Sequence, residues 1–275
     1  AQSTWAACGT CCGTPRRCST GCVCCATTSA WPSEPHQVGV KFARSDKESM
    51  FRPYTDTFEA RLTGRLKKSL QLCGDFRGLS VLDIGCSSGW LEHAAIAAGA
   101  RQVCALDLNR KALCTARGQA PGAWYLQASA THLPLLSCSV DLVTAFEVLE
   151  HIPRGAEQRM LREIHRVLRP GGKLILSTPA SRIWSRILDS AWYFGHRHYQ
   201  PEYIFSILVG CGFKVDLMLL RGGFYELFSM VGLYVFKWIF RSEIPFKTWF
   251  DVKRDDEYLK RNDGIATIFA IAIKS

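Results

Sequence analysis

Several groups of residues in this chain have the types and spacing to do chemistry. Val81-Leu82-Asp83-Ile84 runs into Gly85-Cys86-Ser87-Ser88-Gly89, and a helix begins near Trp90. Glycines in such a loop allow a tight turn and close ligand approach, while free amides at the helix start receive an anion. The loop reads G-x-x-x-G where a nicotinamide fingerprint needs G-x-G-x-x-G, so a pyrophosphate-bearing dinucleotide is disfavoured. Asp107 follows about 20 residues later, at the end of the next strand pattern, where a carboxylate accepts hydrogen bonds from two ribose hydroxyls. A small cofactor with a free ribose is implied.

Further along, Glu147-x-x-Glu150-His151 and the segment Gly195-His196-Arg197-His198-Tyr199 supply imidazoles that can take a proton from an attacking nucleophile. His151, His196 and His198 are therefore the candidate bases, although His151 reads equally well as a structural cap of its own loop. Near the start of the chain, Cys8-x-x-Cys11 and Cys22-x-x-Cys25 have the outline of a zinc ribbon. Cys12, Cys18 and Cys24 are surplus to that outline, and the ten residues between the pairs offer little to form a hairpin.

The elements that must position these residues are legible from periodicity. Residues 1–37 are rich in Cys, Thr, Ser, Gly and Pro, show neither helical nor strand rhythm, and are read as a leader that is disordered or non-native. From Val38 to Cys73 the pattern turns helical, with Phe51, Tyr54, Phe58, Leu62 and Leu66 three or four residues apart. After Gly78, strands and helices alternate: Ser80–Ile84, Leu91–Ala98, Gln102–Leu106, Arg110–Arg117 and Trp124–Gln127. Strands Val140–Ala145, Lys173–Ser177 and Lys214–Leu220 follow, with helices Glu157–Leu168 and Pro201–Val209 between them. Such alternation predicts an α/β fold with a parallel sheet wound on both faces. Gly264–Ile273 is apolar enough for a buried closing strand, which leaves about 40 residues, 222–263, as an insertion.

The chemistry-bearing residues resemble those of the class I S-adenosylmethionine-dependent methyltransferases, of the broad type-11 and ubiquinone-biosynthesis-like group. The resemblance rests on VLDIGCSSG (Val81–Gly89), ALDLN (Ala105–Asn109), LPLLSCSVDLV (Leu133–Val143), FEVLEHI (Phe146–Ile152) and LREIHRVLRPGGKLILSTP (Leu161–Pro179). It implies a Rossmann-like, doubly wound, mostly parallel seven-stranded sheet with an antiparallel last strand, the aromatic insertion lying before that strand. It also implies S-adenosylmethionine as cofactor, with Asp83, Gly85, Cys86 and Gly89 around its methionine part, Asp107 on the ribose, and Phe146 lining the site. Leu108 would lie beside the adenine. Two positions depart from the family pattern: Ser87 replaces the usual middle glycine, and Ser129 stands where an acidic residue commonly meets the adenine amino group, leaving adenine to the Ala130 amide and apolar contacts.

The same resemblance carries a sharper reading, because E-x-x-E-H with a distant histidine is similar to the metal-dependent O-methyltransferases of catechol-like quinone precursors or of the terminal ribose of small RNAs. Glu147, Glu150, His151 and His196 or His198 would then hold a divalent ion that lowers the pKa of a bound hydroxyl. The EH pair is also widespread in relatives with no metal role.

Composition bounds the rest. At 275 residues, 48% hydrophobic and 21% charged, the chain has material for a sizeable core, and disorder of the whole is excluded. Its greasiest uncharged run, Leu227–Phe236, falls short of the roughly 20 residues of a bilayer-spanning helix. The net charge of +10 is spread among interleaved acids rather than gathered in a block, which weighs against nucleic acid as a partner. No apolar signal segment precedes the cysteines, so a cytoplasmic location, peripheral to a membrane at most, is expected. The insertion holds Phe224, Tyr225, Phe228, Phe246, Trp249 and Phe250 among other aromatics, which suggests a lid over an apolar or lipid-linked acceptor, an element lying in a membrane interface, or packing against the sheet edge. Two other functional classes remain: a zinc-bearing RNA methyltransferase that uses the leader as its binding module, and a non-catalytic protein that keeps the cofactor fold as a scaffold.

Overall fold

The computed structural model describes residues 62–182, 196–236, 246–260 and 264–275. The cysteine leader and most of the lead-in helix pattern lie outside the described residues. From Gly64 the order is α1 (Gly64–Cys73), β1 (Ser80–Ile84), α2 (Trp90–Ala97), β2 (Gln102–Asp107), α3 (Arg110–Gln119), β3 (Trp124–Gln127), β4 (Val140–Phe146) and α4 (Glu157–Val167). There follow β5 (Leu168–Pro179), α5 (Pro201–Gly210), β6 (Phe213–Arg221), α6 (Phe224–Val235), α7 (Lys247–Leu259) and β7 (Thr267–Lys274).

Seven strands form one sheet in the order β3-β2-β1-β4-β5-β7-β6. Pairing is parallel from β3 through β5, and β7 slots antiparallel between β5 and β6. The sheet is apolar on both faces because both are covered, so its inner strands read as continuous hydrophobic runs rather than alternating ones. Within those runs period two still sorts the side chains. Leu82, Ile84, Val143, Leu174 and Leu176 join the large core with α4 and α5, while Val81, Leu142 and Ile175 face the second core with Phe76, Leu91 and Ala95. Helix α4 shows the matching 3.6-residue rhythm, burying Met160, Leu161, Ile164 and Val167.

Strand β5 begins earlier than its apolar run suggested. Leu168 pairs with Val140 and Lys173 with Leu142, so Arg169–Gly172 loops out between two paired stretches of one strand. The insertion is also more ordered than a bare loop, since it contains α6 and α7. It leaves β6 and returns to β7 through a pinch: the Ile265 amide donates to the Gly222 carbonyl at 2.7 Å, and the Ala266 amide to the Arg221 carbonyl at 3.3 Å. Gly264 lies so close that a Cβ there would come within 2.2 Å of the Arg221 Cα.

Helix α7 is fixed to the body of the fold at several points. Its Asp255 accepts from the Gly64 amide and from Lys67 of α1, and its Tyr258 hydroxyl lies 3.0 Å from the Thr267 hydroxyl at the start of β7. Glu257 caps α6 by accepting from the amides of Gly223, Tyr225 and Glu226, the free donors of that helix start. Among the described residues, no helix is long and apolar enough to cross a membrane.

Candidate functional site

Strand order reverses between β1 and β4, and in open α/β sheets such a switch point opens a crevice at the carboxyl ends of the strands. The glycine loop turns directly over that edge. Gly85 adopts φ 79°, and a Cβ there would meet Val148 Cγ2 at 2.6 Å; Gly89 adopts φ 86° and lies against Ala116 of α3. Both positions require glycine, for conformation and for space. Ser87, at the family's usual glycine position, takes the same left-handed region with φ 47°, so the loop keeps its path at a local cost of about 1 kcal/mol.

Asp107 ends β2 with its carboxylate held in place. Oδ1 accepts from the Asn109 amide at 2.8 Å and Oδ2 from the Ser87 amide at 3.4 Å, tying the carboxylate to the glycine loop it was expected to work with. Leu108 beside it is exposed, while Ala130 is buried. The Ser129 hydroxyl is engaged with the Thr131 hydroxyl at 2.9 Å, closing the turn after β3. On the other side of the crevice Phe146, the last residue of β4, faces Trp90 of α2 with ring centroids 6.0 Å apart.

Asp83 is buried beneath the loop and accepts from the Thr144 hydroxyl of β4. Glu92, in the first turn of α2, is buried beside it, with neither carboxyl oxygen in a conventional hydrogen bond. Two adjacent buried carboxyls each disfavour the other's ionisation. Burial pushes Asp83 up to about 7, and burial together with the Asp83 charge holds Glu92 far above the usual carboxylate range. Cys86 is a fully buried thiol whose pKa burial raises, so its side chain is core and only its backbone borders the crevice.

After β4 the chain enters a tight turn that carries the E-x-x-E-H residues. Glu147 takes the left-handed region with φ 55°, rare for a residue with a side chain. Its carboxylate accepts from the Ser177 hydroxyl at 2.7 Å and from Arg65 of α1 at 2.9 Å. Glu150 is buried, accepts from Thr178 at 3.1 Å, and is held above the normal carboxylate range by burial and the nearby Glu147. His151 meets His196 edge to face, with ring centroids 4.6 Å apart. The His151 side chain reaches the surface, yet the protein atoms packed around its ring, and then the positive charge of His196 and Arg197, lower its pKa to about 4. His151 is thus a neutral imidazole at physiological pH, able to accept a proton. His198 is half-buried, one residue from the buried Tyr199.

These contacts do not support the metal reading. The Glu147 carboxylate is engaged with Arg65 and Ser177, and the buried Glu150 carboxyl with Thr178. Among the described residues no group of three or more His, Cys, Asp or Glu is arranged to hold an ion. The zinc-ribbon outline at Cys8, Cys11, Cys22 and Cys25 lies outside the described residues.

The spacing of motifs missed two residues. Arg197 donates to the carbonyls of Leu149, Glu150 and Ile152 and pairs with Glu157, clamping the turn on which His151 rides. It stood in full view between His196 and His198, but a guanidinium that ties backbone carbonyls leaves no periodic trace. Arg65 was one of several basic residues in the lead-in helix, and nothing in its spacing distinguished it.

With the geometry in place, comparison with known proteins is direct. Residues 82–176 match the Methyltransf_11 profile, a methyltransferase domain. A Mycobacterium tuberculosis protein described as "Probable S-adenosylmethionine-dependent methyltransferase" is 37% identical over 134 residues, 48% of each chain. A ubiquinone biosynthesis O-methyltransferase of Pseudomonas paraeruginosa is 32% identical over 138 residues, 48% of this chain and 56% of that one. The matched segment thus spans about half the length of these curated relatives. In fold, the chain is similar to an S-adenosylmethionine-dependent methyltransferase from Mesorhizobium loti (TM-score 0.55, 18% identity, 76% of this chain and 97% of that one). It is equally similar to the [4+2]-cyclase SpnF (TM-score 0.55, 18% identity, 80% and 85%), so the fold alone does not fix the reaction. Residues 82–176, at the centre of this crevice, are thus similar to the Methyltransf_11 methyltransferase domain, and the fold around them is the one shared by class I S-adenosylmethionine-dependent methyltransferases of known structure.

Proposed function

We propose that this protein transfers the methyl group of S-adenosylmethionine to an oxygen of a small, apolar or lipid-linked acceptor, with residues 38–275 as the catalytic unit and 1–37 as a dispensable leader. The observation that carries the reading is the Asp107 carboxylate, tied by the Ser87 amide to a glycine loop at the switch point of the sheet and by the Asn109 amide to the start of α3. The residues fit the cofactor: a fixed carboxylate suits a ribose diol, the amides at the start of α2 suit a carboxylate, and Phe146 and Trp90 offer apolar walls. When bound, S-adenosylmethionine supplies an electrophilic methyl carbon and a neutral thioether leaving group.

The chain's own work is then to hold the acceptor in line and remove one proton. With the cofactor bound, neutral His151 would take the proton released by the acceptor hydroxyl on methylation. His196 orients that imidazole, and Arg197 fixes the turn beneath it. Acceptor oxygen rather than carbon or nitrogen is favoured because the group in place is a base, which a hydroxyl needs.

Calorimetry with S-adenosylhomocysteine tests the cofactor half. The wild type is expected to bind and Asp107→Ala to bind about 10–100-fold more weakly, having lost hydrogen bonds to a charged acceptor. Equal binding by both removes the reading. Incubation with methyl-labelled S-adenosylmethionine and an extract of the source cells tests the acceptor half: Asp107-dependent label is expected in the organic phase, and label confined to the aqueous phase moves the acceptor to a soluble, glycan or RNA class.

A further inference from the structure

Helices α6 and α7 each have one face sunk into the protein and one aromatic face turned outward. In α6, Glu226, Leu227 and Ser229 are buried, while Phe224 and Phe228, one turn apart with ring centroids 6.4 Å apart, are 47% and 54% exposed. In α7, Asp255, Glu257 and Tyr258 are buried, while Trp249 and Val252 are 49% and 52% exposed. Phe246, which precedes α7, is 80% exposed and adopts φ 60°. A bulky residue in the left-handed region, turned into water, incurs both strain and hydration costs with no return in the folded chain alone. The two helices present one continuous surface, since Tyr225 meets Trp249 edge to face at 5.4 Å.

Charge on this surface is sorted in the same way. The acids of the two helices are largely turned inward or neutralised: Glu226 and Asp251 on Arg254, Asp255 on Lys67, Glu257 on the α6 amides. Lys253 lies among the aromatics instead, its ammonium 6.0 Å from the Tyr225 ring and 5.8 Å from Trp249. An aromatic face carrying a lysine, on a chain of net charge +10, complements a surface that is apolar just below and anionic at its rim. A second copy of the same face would bring lysine against lysine.

We propose that the outward face of α6 and α7 docks on an anionic phospholipid bilayer, with Phe224, Phe228, Phe246 and Trp249 entering the headgroup boundary and Lys253 meeting lipid phosphate. The docking stands independently of the methyl-transfer reading, and where both hold it names the acceptor's source. The face is joined rigidly to the carboxyl edge of the sheet, through Tyr258 to Thr267 and through α1, whose Arg65 holds Glu147. A lipid-borne hydroxyl would enter the crevice from the bilayer side.

The test is flotation of the full-length protein with vesicles of phosphatidylglycerol mixed with phosphatidylcholine, against phosphatidylcholine alone. The wild type is expected to float with the anionic vesicles and to release with salt. Phe228→Ser with Phe246→Ser is expected to lower partitioning by about 10-fold or more, and Lys253→Glu to remove the preference for anionic lipid. These side chains are exposed, so the variants keep the fold, which unchanged S-adenosylhomocysteine binding checks. Wild-type protein that does not float, or a double phenylalanine variant that floats equally well, overturns the proposal. Failure to float with a concentration-dependent dimer that the double variant abolishes assigns the face to self-association instead. Because cofactor binding is measured separately, either failure leaves the methyl-transfer reading standing.

Discussion

A carboxylate, an imidazole and a guanidinium in this site each owe their state to neighbours rather than to type. His151 shows it most clearly. Partial desolvation at the exposed rim of its turn, with His196 and Arg197, lowers its pKa from 6.5 to about 4, so the imidazole stays neutral well below physiological pH. As the base, it gives methyl transfer an acid limb near pH 4 rather than near 6.5, and kcat measured against pH in a stable acceptor assay is expected to be flat between those values. An acid limb at 6.5 would assign proton removal elsewhere. The same shift has a stability consequence of defined sign: the folded state disfavours the imidazolium, so this group's contribution is full above 6.5 and is lost as pH falls toward 4. His151 and His196 were legible as candidates because histidine is rare and chemically distinctive. That they touch, and that Glu147 and Glu150 turn toward Arg65, Ser177 and Thr178 instead of a metal, depended on packing between segments far apart in sequence.

At the scale of elements, the turn after β4 is the part whose geometry matters most and whose hydrogen bonding is least local. Arg197, more than 40 residues on, donates to the carbonyls of Leu149, Glu150 and Ile152, of which Leu149 also accepts from the turn's own Ile152 amide and from the Tyr199 hydroxyl. Arg197→Ala would remove the guanidinium from all three carbonyls and leave the Glu157 carboxylate without its cation, with the Tyr199 hydroxyl still donating to Leu149 and Glu157. It is expected to cost about 3 kcal/mol in denaturant unfolding and to lower kcat more than cofactor affinity. Arg197→Lys cannot span the same fork and is expected to rescue little. Cofactor affinity falling as far as kcat would mean that the clamp supports the whole crevice. The strands and helices of the sheet were readable almost to the residue, because apolar runs of five to seven residues between glycines leave little choice of element. The start of β5 was not, since Arg169-Pro-Gly-Gly172 looks like a turn and is one, yet Leu168 before it still pairs with Val140.

For the molecule as a whole, the buried pair beneath the glycine loop ties stability to pH. Asp83 carries a pKa raised to about 7 by burial, so the folded state retains a proton that the unfolded chain releases near 4. Between those values folding stability is expected to fall as pH rises; above 7 the Asp83 share of the penalty is complete, while Glu92, held above its ordinary range, continues to add to it. Glu92→Gln removes one of the two carboxyls and is expected to raise the midpoint of thermal unfolding at pH 8 by about 2–4 °C for each ~1 kcal/mol relieved, with little change at pH 4. A variant that melts below the wild type at pH 8 would show that Glu92 contributes more than a buried charge. Nothing in the spacing of Glu92 announced this pair, because it lies on a helix face that composition alone marks as ordinary.

The pinch at Gly222, Gly264 and Ile265 makes the 222–263 excursion a cassette. Its two stems are already hydrogen-bonded to each other where they leave the sheet, so the loop-closure entropy of whatever lies between them is met by the scaffold. A segment of different length or greasiness could be exchanged there with β6 and β7 left in register, provided that the α1 partners of Asp255, Gly64 and Lys67, travelled with it. Grafting this excursion onto a related sheet would then transplant its affinity for a surface without rewriting the chemistry at Asp107 and His151.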